Sequence, residues 1–396
     1  MKKNGQKEVC SNTQAVHAGE TGAYWGNSLT VPIAQTSTYV FEDSDAVHRF
    51  VTGEEVRIDY GRYGNPTQHV AEQKLAELEG AEAALLFASG MSAVTTTLFA
   101  MLSTGQHAVI MDDCYRKTTQ FCKMVLRKFG IETTFVPAGD YEALEGAIGE
   151  KTRVLISESP TNPHLNVMDL ERVVEIARAH RVKVIIDSTF ATPFNQRPLE
   201  FGVDLVIQSC TKYLGGHNDL IAGAVLGAAP IVGAIKDYRG ILGGVVDPHC
   251  AYLLIRGLKT FPLRMARQNE ITFAMAQFLE AHPRVRRVYY PGLESHPHHR
   301  IAKTQMRGFG GVVSFDLDTD LEGTMRFLDG LQIPVIGASL GGVESIVSHP
   351  ASISYYELSR EDRLEIGIKD ELIRYAVGIE DAEDLIGDLS QALDRI

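Results

Sequence analysis

Between about Val70 and Gly227, short apolar and β-branched runs alternate with longer stretches whose apolar positions recur at helical spacing. ALLFAS, HAVIMD, TTFVPA, RVLISES, VKVIIDS, DLVIQS and AGAVLGA read as strands, with MSAVTTTLFAML and LERVVEIARAH among the helices between them. This alternation predicts an α/β fold with a mainly parallel wound sheet, whose ligands belong at the carboxyl ends of its strands. From about Ala251 the pattern changes. A long helix-like segment is followed by the strands RVYYPG, GGVVSFDLD and IRYAVG interleaved with helices, ending in DLIGDLSQALDRI. The expectation is an N-terminal arm over residues 1–60, a large domain over 61–250 and a smaller C-terminal α+β domain over 251–396. Internal repeats and heptads are not apparent.

Composition narrows the picture. At 396 residues the chain exceeds the size at which one hydrophobic core stops growing, and 22% charged and 44% hydrophobic residues are the ordinary globular balance. A net charge of −12 argues against nucleic acid, which needs a basic face to release counterions. No apolar run approaches the roughly 20 residues that cross a bilayer, and MKKNGQKEVCSN lacks a secretory apolar core. A cytoplasmic protein with no membrane or nucleic-acid partner is expected. Cys10, Cys114, Cys122, Cys210 and Cys250 include no CxxC pair and read as free thiols. His296, His298 and His299 in SHPHHR lie in a Pro-broken stretch without an acidic or Cys partner at ligand spacing, so a solvated loop is expected there and no metal.

Three segments place polar residues at predicted strand ends. In DLVIQSCTKYLGGHND the strand runs into Ser209, Thr211 and Lys212; a lysine there is, taken alone, usually a solvated charge. In VKVIIDSTFATPF the strand ends in Asp187, whose commonest job would be a cap. In ALLFASGMSAVTTT a strand enters a helix through Ser89, Gly90 and Met91, either a tight βα turn or a phosphate cup built on free backbone N–H groups. Together they supply an imine-forming lysine, an aspartate to keep a pyridine nitrogen protonated, and a phosphate-binding helix start. Those are the requirements of pyridoxal 5'-phosphate. GxGxxG after a strand, GxxxxGK[ST] and HExxH are absent, and the one GxSxG match, Gly337–Gly341, runs on into GVES without a helix, which disfavours a nucleophile elbow.

YGRYGNPT, SGMSA, ESPTNP, DSTFATP, SCTKYLGGHND, SLGGVES and IRYAVGIED, in that order along nearly the whole chain, resemble the Cys/Met-metabolism family of pyridoxal-phosphate enzymes. DCYRKT, ILGG, YYPG, SHPHHRIAK and QMRGFGG are similar to the plant-type cystathionine γ-synthases of that family. The resemblance implies a fold-type I pyridoxal-phosphate transferase, a homotetramer of catalytic dimers whose arm reaches a neighbour's site, and amino-acid substrates. Lys212 would carry the cofactor as an imine, and Asp187 would face the pyridine nitrogen. Ser89, with the backbone of Gly90 and Met91 and the hydroxyls of Ser209 and Thr211, would form the phosphate cup, completed by Tyr60 and Arg62 of another subunit. Tyr115 would stack on the ring, and Asn162 would bond its 3'-oxygen. Arg374, helped by the backbone at Ser339, would clamp the substrate carboxylate.

Three positions depart from the pattern: Ser188 follows Asp187, Arg116 and Lys117 follow the stacking tyrosine, and Ala338 stands where many relatives carry Glu. Lys117 is the candidate cation for a phosphate leaving group, O-phosphohomoserine being the donor it would favour. The implied reaction is γ-substitution, cysteine plus an O-activated homoserine giving cystathionine. The alternative is γ-elimination to 2-oxobutanoate and ammonia, and these residues do not separate the two. A non-catalytic binding protein and an NAD-dependent dehydrogenase are the competing classes; the first is disfavoured by Lys212, Asp187, Tyr115 and Arg374 occurring together, the second by the missing glycine fingerprint.

Overall fold

All seven strands expected in the first part of the chain form: β1 Ala83–Phe87, β2 His107–Met111, β3 Glu132–Val136, β4 Thr152–Glu158, β5 Lys183–Asp187, β6 Leu205–Gln208 and β7 Gly223–Gly227. The computed structural model describes residues 11–20, 22 and 24–396. The strands make one sheet in the order β1-β7-β6-β5-β4-β2-β3, parallel from β6 to β3, with β7 antiparallel to both its neighbours. The side chains of Val109, Leu155, Ile185, Val206 and Val225 are excluded from solvent, which is why these strands are nearly continuous apolar runs. Glu158 pairs in register with Asp187, and Asp187 with Ile207, so the carboxyl ends of β4, β5 and β6 finish side by side.

A second sheet, in the order β10-β11-β12-β9-β8, is built from β8 Val285–Tyr289, β9 Val312–Leu317, β10 Val335–Ile336, β11 Ile346–Ser348 and β12 Leu372–Ala376. β10 and β11 were not expected, because two- and three-residue strands carry no readable period. β12 lies between β9 and β11, with Arg374 opposite Ser314 and Ser348. Between the sheets in sequence runs the 34-residue helix Pro248–Ala281, whose start is capped by Asp247 through His249 N–H. Its Arg264 donates to Tyr213 O at 2.7 Å, and its Gln268 donates to Gly342 O at 2.9 Å and Val377 O at 3.0 Å. The helix thus fixes the loop of Lys212, the loop of Ser339 and the end of β12 against one another.

The histidine cluster corrects the sequence expectation of a solvated loop. His296 is only 3% exposed, and burial beside His298 lowers it to about 4. His298 Nδ1 accepts from Val167 N at 3.1 Å, and His299 Nδ1 lies 2.9 Å from Pro291 O, so the segment is packed by backbone contacts that charge patterning does not reveal. Cys114, Cys122, Cys210 and Cys250 are free thiols, the first three buried; Cys10 lies outside the described residues. Among the described residues no helix is long and apolar enough to cross a membrane, and no group of three or more His, Cys, Asp or Glu could hold a metal.

Candidate active site

A cleft of about 480 Å3 opens at the carboxyl ends of β4, β5 and β6 and is closed from the other side by the loop of Ala338–Leu340 and by β12. Ser89, Gly90, Met91, Tyr115, Asn162, Asp187, Ser209, Thr211, Lys212, Ser339 and Arg374, scattered over the sequence, all line it.

Lys212 leaves the end of β6 through a short turn, its N–H bonded to Ser209 O at 3.1 Å. Its Nζ donates to Ser339 Oγ at 2.6 Å. Burial, and then the nearby Arg374 charge, lower the ammonium to about 8. Arg374 is 6% exposed and donates through Nη2 to Ser339 O at 2.8 Å and through Nη1 to Asn162 Oδ1 at 3.2 Å, while its Nε is buried without a partner. Ser339, the hub of both contacts, has φ 89°, a backbone conformation costly for a non-glycine residue. Gly341 explains how its loop approaches so closely: a Cβ there would lie 2.6 Å from Tyr213 N and 3.0 Å from Lys212 C.

Asp187 at the tip of β5 accepts from Thr189 N at 3.0 Å and Thr189 Oγ1 at 2.6 Å, both on Oδ1. Burial raises its carboxyl and these two donors oppose the rise. Thr189 Oγ1 also accepts from Ser209 N at 2.8 Å. One threonine therefore ties the aspartate to the segment that carries Ser209 and Lys212. Opposite, Ser89 caps the helix Gly90–Met101 by accepting Ser92 N–H at 3.0 Å. A Cβ on Gly90 would meet Ser209 Cβ at 3.0 Å, so glycine lets the helix start close against the Ser209 side. Thr211 Oγ1 is engaged with Ala222 O at 3.1 Å and Ala222 N at 3.0 Å, which orients it from the strand behind.

Tyr115 is 45% exposed on the open side, with burial and then Glu158 raising its hydroxyl. Its N–H donates to Glu158 Oε2 at 2.7 Å. Glu158, at the tip of β4, is 3% exposed, and burial next to Asp187 holds its carboxyl well above the ordinary range. Sequence reading did not single out Glu158 or Thr189, nor Ser354 and Phe190, which also line the cleft. The available signal was the alternation of polar residues after the ends of β4 and β5, in ESPTNP and DSTF.

Tyr60, Arg62 and Lys117 do not line this cleft. Tyr60 and Arg62 line a separate cleft of about 450 Å3 with Gln35, Ser37, Gly243 and Asp247. There Arg62 sits over the Tyr60 ring at 5.4 Å. Lys117 is exposed, with Nζ on Gln120 Oε1 at 2.8 Å. Its neighbour Arg116 pairs with Glu357 at 2.6 Å and also donates to Ser354 O at the rim. Arg116 is thus neutralised within the chain.

The cleft passes a chemical test for pyridoxal phosphate. It presents a lysine amine with a lowered pKa, a buried aspartate braced by two donors, and a helix start cradled by Gly90 beside Ser209 and Thr211, just past the end of β6. A guanidinium with an unpartnered Nε adds an anchor for a carboxylate.

Comparison with known proteins agrees. A family model for Cys/Met metabolism PLP-dependent enzymes matches residues 12–394. The chain is 49% identical to cystathionine gamma-synthase 1, chloroplastic, of Arabidopsis thaliana over 384 residues, 96% of this chain and 68% of that protein. It is 41% identical to an L-methionine gamma-lyase of Fusobacterium nucleatum subsp. nucleatum, covering 100% of both. The crystal structure of metB from Corynebacterium glutamicum superposes with a TM-score of 0.91 at 34% identity, covering 98% of each chain. This chain belongs to the Cys/Met metabolism family of pyridoxal-phosphate-dependent enzymes.

Proposed function

We propose that the chain is a γ-synthase that joins cysteine to an O-activated homoserine, forming cystathionine and releasing the O-substituent. The observation that supports amino-acid chemistry here is the Lys212–Ser339–Arg374–Asn162 contact set, an amine of lowered pKa beside a buried guanidinium, and the choice of synthase rests on the relatives. Bound there, the cofactor supplies an electron sink for the amino acid's α-carbon.

Arg374 fixes the substrate carboxylate, with the backbone at Ser339 beside it, and so aims the α-hydrogen at Lys212. Lys212 Nζ, held to about 8, is neutral often enough near neutral pH to take that proton and return it elsewhere on the substrate. Asp187, whose ionised form is favoured by the two Thr189 hydrogen bonds against the effect of burial, would retain the proton on the ring nitrogen. Ser209, Thr211 and the N–H groups of Gly90 and Met91, with Ser89 capping the helix, hold the phosphate. Tyr115 covers the ring from the open side, and Asn162 serves the ring's 3'-oxygen as well as Arg374.

Synthase is favoured over lyase by the 49% identity to a plant synthase against 41% to a methionine γ-lyase. Ala338, uncharged, puts no carboxylate on the Ala338–Leu340 side of the cleft to repel an anionic leaving group. Lys117 would meet such a group from the rim. Incubating an O-activated homoserine with and without cysteine tests the choice: a synthase makes cystathionine with cysteine, and a lyase releases 2-oxobutanoate equally in both.

We further propose a homotetramer of dimers in which residues 1–60 act as an arm, with 61–250 and 251–396 as the two domains. Tyr60 and Arg62 then serve the neighbour's phosphate. Support comes from exposed apolar side chains in the arm and near the second cleft: Trp25 at 92%, Leu29 at 88%, Val56 at 97% and Ile241 at 79%. The buried free thiols fit a reducing compartment, and we place the protein in the cytoplasm.

A further inference from the structure

We propose that Glu158 is a positioning residue that works as an uncharged carboxylic acid: it holds the Tyr115 backbone in place and leaves Asp187 the only carboxylate charge at the cofactor ring. The proposal rests on the cofactor placement given above. Glu158 ends β4 in register with Asp187 at the end of β5, on adjacent parallel strands, so the two carboxyls share one end of one cleft. Two carboxylates that share a site do not both ionise, and the better-solvated one takes the charge. Here the inequality is built in. Asp187 receives two hydrogen bonds from Thr189, whereas the hydrogen bond to Glu158 comes from Tyr115 N–H.

The rest of its surroundings point the same way. Asp113, from the loop after β2, lies with Glu158 on a buried cavity of about 10 Å3 and is itself raised to about 6 by burial. Cys114, Tyr115 and Tyr355 are near enough for the Glu158 charge to disfavour their own ionisation. Two neighbours favour an ionised Glu158: the Tyr115 N–H, one donor against the two on Asp187, and Arg374, which is already engaged with Ser339 and Asn162. The single strong contact Glu158 makes fixes the residue that opens the helix Arg116–Gln120, and that residue is the one placed over the ring. Its effect on the reaction passes through Tyr115.

Glu158→Gln keeps the acceptor and the neutral state, and Glu158→Ala removes both. The Gln variant should keep kcat within about threefold of the parent. The Ala variant should lose about ten- to a hundredfold, mostly in kcat, with a shifted cofactor absorption band. The infrared difference spectrum of parent minus Glu158→Gln protein near pH 7, recorded both with and without cofactor, should show a protonated-acid carbonyl band from the parent. Absence of that band in the parent overturns the neutral-acid claim, and equal losses in the Gln and Ala variants overturn the positioning claim. If Lys212 proved not to carry the cofactor, the infrared band would stand while the reading of the active site fell, so the two failures are distinguishable.

Discussion

Replacing Arg374 by Met removes the guanidinium fork while keeping the bulk of a side chain buried in β12. In the structure the fork donates at 2.8 Å to Ser339 O and at 3.2 Å to Asn162 Oδ1, and its Nε has no partner. A substrate carboxylate engaged by two such N–H groups makes two charge-assisted hydrogen bonds, each worth about 1.5–3 kcal/mol. Together they come to roughly 3–6 kcal/mol, or about a hundred- to ten-thousandfold in kcat/KM. Ser339 O would also lose its donor, so the Lys212 contact could loosen; the cofactor absorption band of the variant checks for that. The assay compares the O-activated homoserine with its carboxamide. The parent should prefer the acid by a factor in that range, and Arg374→Met should show almost no preference. Arg374→Lys keeps the charge without the planar fork and should fall between. If the Met variant still preferred the acid as strongly as the parent, Arg374 would not be the carboxylate anchor.

The remaining predictions concern other parts of the molecule. Mixing inactive Tyr60→Ala protein with inactive Lys212→Ala protein, under conditions that exchange subunits, should restore activity, because a hybrid dimer holds one intact composite site; hybrids that form and stay inactive would refute the shared site. Lys117→Ala should lower kcat/KM for a phosphate ester by about two- to fivefold, the scale of an exposed ion pair, and leave the acetyl ester unchanged; equal losses on both would remove Lys117 from leaving-group recognition. Glu79 is 1% exposed and pushed up to about 8 by burial, from an ordinary 4.5, so the folded state holds a proton that the unfolded state has lost between those values. Stability is then lost as pH rises through that window, by about 1.4 kcal/mol per unit from this group, and Glu79→Gln should flatten the fall in melting temperature between about pH 5 and 8; parallel curves would refute it.

What the sequence revealed, and what it hid, follows from the range of the interactions involved. The seven strands of the large sheet were legible because burial on both faces leaves continuous apolar runs, and the places of Lys212 and Asp187 at one cleft were legible because polar residues at the ends of such runs, weak signals singly, occur in combination. Family motifs added Tyr115, Asn162 and Arg374, which no local pattern marks. Glu158 and Thr189 escaped because their contacts depend on which strands lie side by side and on a hydroxyl bridging the ends of two of them. The burial of His296 was hidden for the same reason, since its neighbours come from segments distant in sequence. Tyr60 and Arg62 appear in a cleft apart from Lys212, a placement that gains meaning only if another chain supplies the rest.

The central claim is that pyridoxal phosphate is held and worked through Lys212. Its most direct test is borohydride reduction of the cofactor-loaded protein, which fixes the cofactor to the amine that carries it, followed by digestion and mass spectrometry of the peptides. One peptide should bear the pyridoxyl group, on Lys212, and Lys212→Ala protein treated the same way should yield none. A pyridoxyl group on any other lysine, or an unlabelled Lys212 peptide from the loaded parent, would contradict the claim.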